Sequence, residues 1–389
     1  MANKTVFPIL IIIILALSAC GPTHATTPPA IPTNATGIPT AVAPTAALPQ
    51  STATLIPTAT LPAATATLVP SDTPLPVATA TVSQGTNPGS ANYIDDRSTP
   101  SQVIVSFYNA VNRKEYLRAY SYYADPATTL GSYTSFANGY SDTASVDLVF
   151  GQITGDPGMS QVYYTIPVIL KATSTTNTHT NYAACYVVHE ASPDVFGAPP
   201  ISPMSIAQGS AQISSLNAPD ASVLASACSG YPVGGNPPFS AYSNGLSIDK
   251  SNFVDNRSGP VETVSSFLNA LNLKQYVRAY SYFQDPATFP GPYDSFAAGY
   301  ADTGVITVTF GTLQSEGAAG SIYYKLPLAT VVLTTTNTTQ TFVGCYTLRL
   351  SQPSVQGVPP FQPMGIVSGK FNQVANGTDV NPLLPSACN

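Results

Sequence analysis

Residues Asp95–Thr143 read DDRSTPSQVIVSFYNAVNRKEYLRAYSYYADPATTLGSYTSFANGYSDT, and residues Asp255–Thr303 read DNRSGPVETVSSFLNALNLKQYVRAYSYFQDPATFPGPYDSFAAGYADT. The two stretches lie at a constant offset of 160, which pairs Arg97 with Arg257, Tyr120 with Tyr280 and Asp142 with Asp302. The same offset pairs Cys185 with Cys345 and Cys228 with Cys388. Of the 55 positions from Arg97 to Gly151, 30 are identical in the second copy, so one fold must serve both. A period this long means tandem domains; solenoid repeats run only about 20–50 residues.

Each copy opens with helical signals. Ser98 or Thr99 before Pro100 marks a helix start, because proline at the first helical position gives up an N–H that would be unpaired there. Val103, Phe107, Ala110 and Val111 mark one face of that helix. Tyr116, Ala119, Tyr120 and Tyr123 follow at i, i+3, i+4, i+7, echoed by Tyr276, Ala279, Tyr280 and Phe283, and predict a second helix ended by DPAT at Asp125 and Asp285. A short third helix is expected over 133–140. The pattern then turns to strands: Val146, Leu148 and Phe150 alternate, as do Ile306, Val308 and Phe310, and two longer runs flank turns at Asn177 and Asn337. Helices first and an antiparallel sheet second define an α+β domain, present twice.

This order, with the run VIVSFYNAVNRKEYLRAYSYYAD, resembles the nuclear transport factor 2-like superfamily over about 93–191 and 253–350. The resemblance implies helices packed into a strongly curved sheet, giving a cone. It also implies that any enzymatic site would place Asp, His or Tyr inside that cone. The last forty or so residues of each copy, with GAPPISPM and GVPPFQPM, lie outside the usual core of that superfamily and are expected to form an appended arm.

Upstream, Lys4 and the apolar run from Val6 to Leu17 read as an export signal over 1–19, too short for a comfortable membrane span. Leu17-Ser18-Ala19-Cys20 resembles the bacterial lipobox, which implies lipidation of Cys20 and anchoring on the extracytoplasmic face of a cell membrane. From Gly21 to Asn92 the chain is Thr/Pro/Ala-rich with Asp72 as its one charged residue, too polar and unpatterned to repay its ordering entropy. Such a stalk is expected to be disordered, biased to polyproline II at about 3.1 Å per residue, and able to reach roughly 200 Å. The expected domains are therefore 93–229 and 249–389, joined by a Gly/Pro linker at 230–248.

Four cysteines remain after Cys20, two per copy, and they allow three pairings. Cys185 with Cys228 and Cys345 with Cys388 is the economical choice, since each domain brings its own pair, and an exported chain meets an oxidising setting. Metal binding is not expected, because there is no CxxC pair and no neighbouring histidine shared by both copies.

Only 8% of residues are Asp, Glu, Lys or Arg and the formal charge is -6, so the chain has no basic footprint for nucleic acid. Phosphate-loop, dinucleotide, GxSxG and HExxH motifs are absent, and no cofactor is expected. His179 and His189 face Thr339 and Arg349 in the second copy, so a shared histidine base is excluded. Asp125 and Asp285 are expected as turn caps, and Asp142 and Asp302 as ion-pair partners of Arg118 and Arg278 or as caps. The tyrosines give two readings, a packed core or a ligand-holding concave face. The candidate pocket is Tyr116, Tyr120, Tyr140 and Asp142, with Tyr276, Tyr280, Tyr300 and Asp302 in the second copy. The leading expectation is two non-catalytic binding domains for a cell-wall glycan or another surface protein. An isomerase, dehydratase or cyclase using Asp and Tyr in the cone is the alternative, and a structural spacer a further one.

Overall fold

The computed structural model describes residues 85–158, 160–231 and 253–389, all within one compact unit. The export signal, Cys20, the stalk as far as 84 and most of the linker lie outside the described residues.

In the first domain Thr99 caps helix α1 (Pro100–Asn112), its hydroxyl accepting from the Gln102 N–H at 3.3 Å. The helix ends at Lys114, whose φ of 60° is the left-handed turn that commonly closes a helix. The tyrosine-rich run is helical only over α2 (Tyr116–Tyr120). Asp125 then caps α3 (Pro126–Leu130) by accepting from the Thr128 N–H, and α4 (Tyr133–Gly139) follows. Strands β1 (Thr143–Phe150), β2 (Thr154–Gly158), β3 (Gln161–Ser174), β4 (His179–Ala191) and β5 (Ser205–Ser214) form one antiparallel sheet in the order β1-β3-β4-β5, with β2 also on β3. Asn177, at φ 61°, turns the β3–β4 hairpin. Val103, Phe107 and Val111 of α1 pack on Leu148, Ile166, Val168 and Ile206 of the sheet, all buried. Helix α5 (Asp220–Ala227) closes the other sheet face, where Val223 and Leu224 meet Val149 and Ile169.

The second domain repeats this with α6 (Pro260–Asn272), α7 (Tyr276–Tyr280), α8 (Tyr293–Gly299) and strands β6 (Thr303–Phe310), β7 (Gln314–Ala318), β8 (Ser321–Thr334), β9 (Thr339–Ser351) and β10 (Gly365–Val374), ordered β10-β9-β8-β6 with β7 on β8. Its counterpart of α5 is broken. Pro382 and Pro385 replace Ser222 and Ala225, remove helical donors, and leave a single 3-10 turn at Leu384–Ser386.

Three expectations change. The arm is not an appendage: its strand β5 pairs with β4 along Ser205–Ser214, Ile206 bonds to the chain leaving α2, and Met204 and Ile206 are buried in the core. The same holds for β10, Met364 and Ile366. The arm could not be placed from sequence because its partner strand is chosen by non-local pairing. The boundary at 92 also moves, because Thr86 exchanges backbone bonds with Leu148 and the Asn109 amide donates to the carbonyls of Pro88, Gly89 and Asn92. The segment expected to be stalk is therefore domain from at least Gly85.

Third, Arg118 and Arg278 do not pair with Asp142 and Asp302. Arg118, with no exposed surface, reaches Glu115 at 2.6 Å, Asn109 Oδ1 at 2.8 Å and the Ile94 carbonyl at 2.5 Å, beneath the Tyr93 ring. Arg278 repeats this with Gln275, Asn269, the Val254 carbonyl and Phe253. These guanidiniums sit inside the helical layer, whereas Asp142 and Asp302 are exposed at the sheet entrance. Asp142 instead acts on Lys114, whose pKa burial lowers while the Asp142 charge opposes that shift.

The disulfides are Cys185–Cys228 and Cys345–Cys388, each spanning 43 residues with Cα atoms 5.0 Å apart. Each ties the central hairpin strand to the end of the arm.

Candidate functional site

The repeated helix–sheet interior holds a cavity in the second copy, and in the first a tyrosine takes part of the same space. In the first domain the Tyr108 ring sits edge-on to Phe107, with centroids 4.8 Å apart, and its hydroxyl lies 2.5 Å from that of Tyr186. Tyr140 lies beside this pair, its ring edge-on to Phe107 at 6.3 Å, so three phenols cluster here. Burial raises all three pKa values, with Tyr186 pushed up to about 12.

In the second domain Leu268 stands where Tyr108 does, and Thr330 and Phe371 replace Leu170 and Ala211. Tyr300 and Tyr346 both stand edge-on to Phe267, at 6.4 and 5.9 Å, but the third phenol is gone. A cavity of about 250 Å³ results, lined by Leu268, Tyr300, Asp302, Thr330, Tyr346 and Phe371 among others. Phe371 lies edge-on to Tyr346 at 4.8 Å, and its bulk is accommodated because Gly344 replaces Ala184 across the strand pair: a Cβ at Gly344 would meet the Phe371 ring at 2.5 Å. Gly369 lets the Tyr346 ring lie against β10 in the same way, with a hypothetical Cβ at 2.6 Å from the ring. Burial raises the Tyr300 and Tyr346 pKa values, so at neutral pH the pocket offers protonated hydroxyls. Asp302 is exposed at the pocket's rim.

Tyr300 and Asp302 of the expected set therefore share this pocket. Tyr140 and Asp142 occupy the same positions in the first copy. The others do different work. The Tyr116 and Tyr276 hydroxyls donate to the Tyr140 and Tyr300 carbonyls at 3.1 and 3.2 Å, and those of Tyr120 and Tyr280 donate to the Gly131 and Gly291 carbonyls at 2.6 and 2.7 Å. These four pin one helix to the next. Sequence reasoning missed Leu268, Thr330 and Phe371 because it sought residues common to both copies, and it missed Tyr346, which matches Tyr186, because that tyrosine lies on a strand outside the helical tyrosine run.

A second concavity lies where the two domains meet. The Asp-x-Arg-Ser segments join reciprocally: the Arg97 N–H donates to the Asp255 carbonyl at 2.7 Å and the Arg257 N–H to the Asp95 carbonyl at 2.6 Å. The Asp95 and Asp255 N–H groups donate to Ser258 and Ser98 Oγ, both at 2.9 Å. Beside this seam is a cleft of about 440 Å³, walled by Arg97 and Arg257 and by both proline loops, Ile201–Met204 and Pro359–Pro363.

Comparison with protein-family models, curated proteins and solved structures yields no match to this chain. Among the described residues, no group of three or more His, Cys, Asp or Glu could hold a metal ion, and no helix is long and apolar enough to cross a membrane.

Proposed function

We propose that the chain is a lipid-anchored extracytoplasmic binding protein, tethered through Cys20 and the Thr/Pro segment, whose second domain takes a small, mostly apolar ligand. The observation carrying this reading is the exchange of Tyr108 for Leu268, which leaves a ligand-sized space beside the phenols of Tyr300 and Tyr346. The disulfides fit an oxidising location. The tyrosines supply ring faces for an apolar body and hydroxyls for one polar group. This amends the idea of two equivalent modules with avidity for a repetitive target, because only the second interior has the exchange that opens it. A cell-wall glycan or surface protein remains the proposed partner class for the outer surface.

The enzymatic reading is weaker on the same geometry. A general base needs a carboxylate within hydrogen-bond reach of a bound substrate and tuned by its surroundings, and Asp302 stands exposed at the rim. The test is a fragment titration followed by NMR, with p-cresol, indole and N-acetylglucosamine as probes against residues 21–389. Binding of p-cresol or indole that Leu268→Tyr abolishes and Asp302→Asn leaves intact is expected. Equal binding to the Leu268→Tyr protein refutes the pocket.

A further inference from the structure

The inter-domain cleft is built from repeated residues, yet its two halves are not equivalent. In the first half both carboxylate oxygens and both terminal guanidinium nitrogens are occupied. Asp95 Oδ1 accepts from the Tyr122 hydroxyl at 2.8 Å and Oδ2 from the Tyr93 hydroxyl at 3.2 Å, while Arg97 donates Nη1 to the Met204 carbonyl at 2.8 Å and Nη2 to the Ser121 carbonyl at 3.3 Å.

In the second half Phe253 stands in place of Tyr93. Asp255 keeps the Tyr282 hydroxyl on Oδ1 at 2.8 Å and ion-pairs through that oxygen with Arg257 Nε at 3.9 Å, while Arg257 donates Nη2 to the carbonyl and hydroxyl of Ser281, both at 3.1 Å. Among the described residues, Asp255 Oδ2 and Arg257 Nη1 have no hydrogen-bond partner. Asp255 is nonetheless only 6% exposed, and both residues line the cleft. Neither atom is sealed from solvent, so an acceptor and a donor stand open to a group that enters the cleft.

The chemistry of that occupant follows from the walls. Three arginines, Arg97, Arg257 and Arg278, face three acids, Asp95, Glu190 and Asp255, so the cleft presents no net charge to select an ion. It presents one acceptor and one donor side by side, which matches the N–H and C=O of a peptide backbone. The remaining wall is Tyr120, Tyr123, Phe253, Phe361 and the proline loops. Aromatic-lined grooves of this kind hold extended, proline-containing segments, whose preformed backbone loses little entropy on docking.

We propose that the cleft binds an uncharged, proline-containing peptide segment of a partner protein, one backbone N–H donated to Asp255 Oδ2 and one carbonyl accepting from Arg257 Nη1. This does not depend on the pocket of the second domain.

The probe is acetyl-(Leu-Pro-Ala)₃-amide, titrated calorimetrically into residues 21–389. Saturable binding with a Kd of about 10–500 μM is expected. Phe253→Tyr copies the first domain, caps Asp255 Oδ2 without changing charge, and is expected to weaken binding by about fivefold or more. Asp255→Asn is expected to do the same while retaining the backbone bonds of the seam. Nonaproline, which lacks the N–H, is expected to bind less well than the mixed peptide. No saturation up to about 1 mM, or unchanged affinity in Phe253→Tyr, overturns the proposal. So does equal affinity for the single blocked residue acetyl-leucine methylamide, which would make the cleft a small-molecule site.

Discussion

Substituting Leu for Tyr108 transplants the second domain's residue into the first and measures what the buried phenol contributes. The variant loses the Tyr186 hydroxyl bond, a contribution of about 1 kcal/mol. It loses edge-on contacts with Phe107 and Tyr186, centroids at 4.8 and 6.3 Å, together about 1 kcal/mol. A residual void of about 50 Å³, at about 24 cal/mol per Å³, adds about 1 kcal/mol. The expected loss is about 3 kcal/mol, read as a shift of the urea midpoint of residues 21–389 at unchanged slope. The reciprocal Leu268→Tyr places a ring in space that already exists, so its cost is expected to stay below about 1 kcal/mol, whereas the same change in a filled core costs about 1–3 kcal/mol. If Leu268→Tyr destabilises as much as Tyr108→Leu, the second interior has no room for a ring and the asymmetry argument fails.

Other expectations follow from the copies' differences and from burial. Glu115→Gln puts the second domain's Gln275 beside Arg118; because Gln275 already serves Arg278 there through an amide oxygen at 2.7 Å, the loss should stay below about 2 kcal/mol in chemical denaturation, against about 3 kcal/mol for Arg118→Met, which takes the donor from Glu115 Oε2 and leaves the carboxylate only Arg113, at 2.8 Å on Oε1. A chain starting at residue 93 should be less stable than one starting at 85 by about 2 kcal/mol, since the Asn109 amide loses three carbonyl partners, and thermal unfolding of the pair checks this. Alkaline pH should unfold the protein cooperatively. Burial holds the phenol of Tyr186 protonated up to about 12, so its contribution is complete below the unfolded value near 10 and falls by about 1.4 kcal/mol per pH unit between the two; phenolate absorbance should rise together with loss of structure, not before it.

Much of the architecture was legible because it is local. The α1 start at Pro100, the Asp125 cap, the Asn177 and Asn337 turns and the alternation in β1 and β6 depend on a few consecutive residues, and each is where the pattern puts it. The repeat supplied the rest of the domain plan and the cysteine pairing. What stayed hidden depends on partners far along the chain. Nothing near Arg118 signals that it turns inward to Glu115 and the Ile94 carbonyl instead of outward to Asp142. Nothing near Ile206 signals pairing beside Tyr123. The tyrosine spacing overstated α2, which stops at Tyr120 because Tyr122 and Tyr123 are taken up by bonds to Asp95 and by the approach of β5. The open pocket and the uncapped half of the cleft were masked for a different reason. Comparing copies for what they share discards Leu268, Phe253 and Gln275, where the chemistry diverges.

The seam between the domains has an evolutionary consequence. Each half gives the other the same bonds it receives, Arg97 to Asp255 and Arg257 to Asp95, Asp95 to Ser258 and Asp255 to Ser98. That is the isologous pattern of a two-fold homodimer, here made within one polypeptide. In a homodimer encoded by one gene, every substitution appears on both sides at once. Covalent fusion removes that constraint, so one side can carry Tyr at 108 and at 93 while the other carries Leu at 268 and Phe at 253.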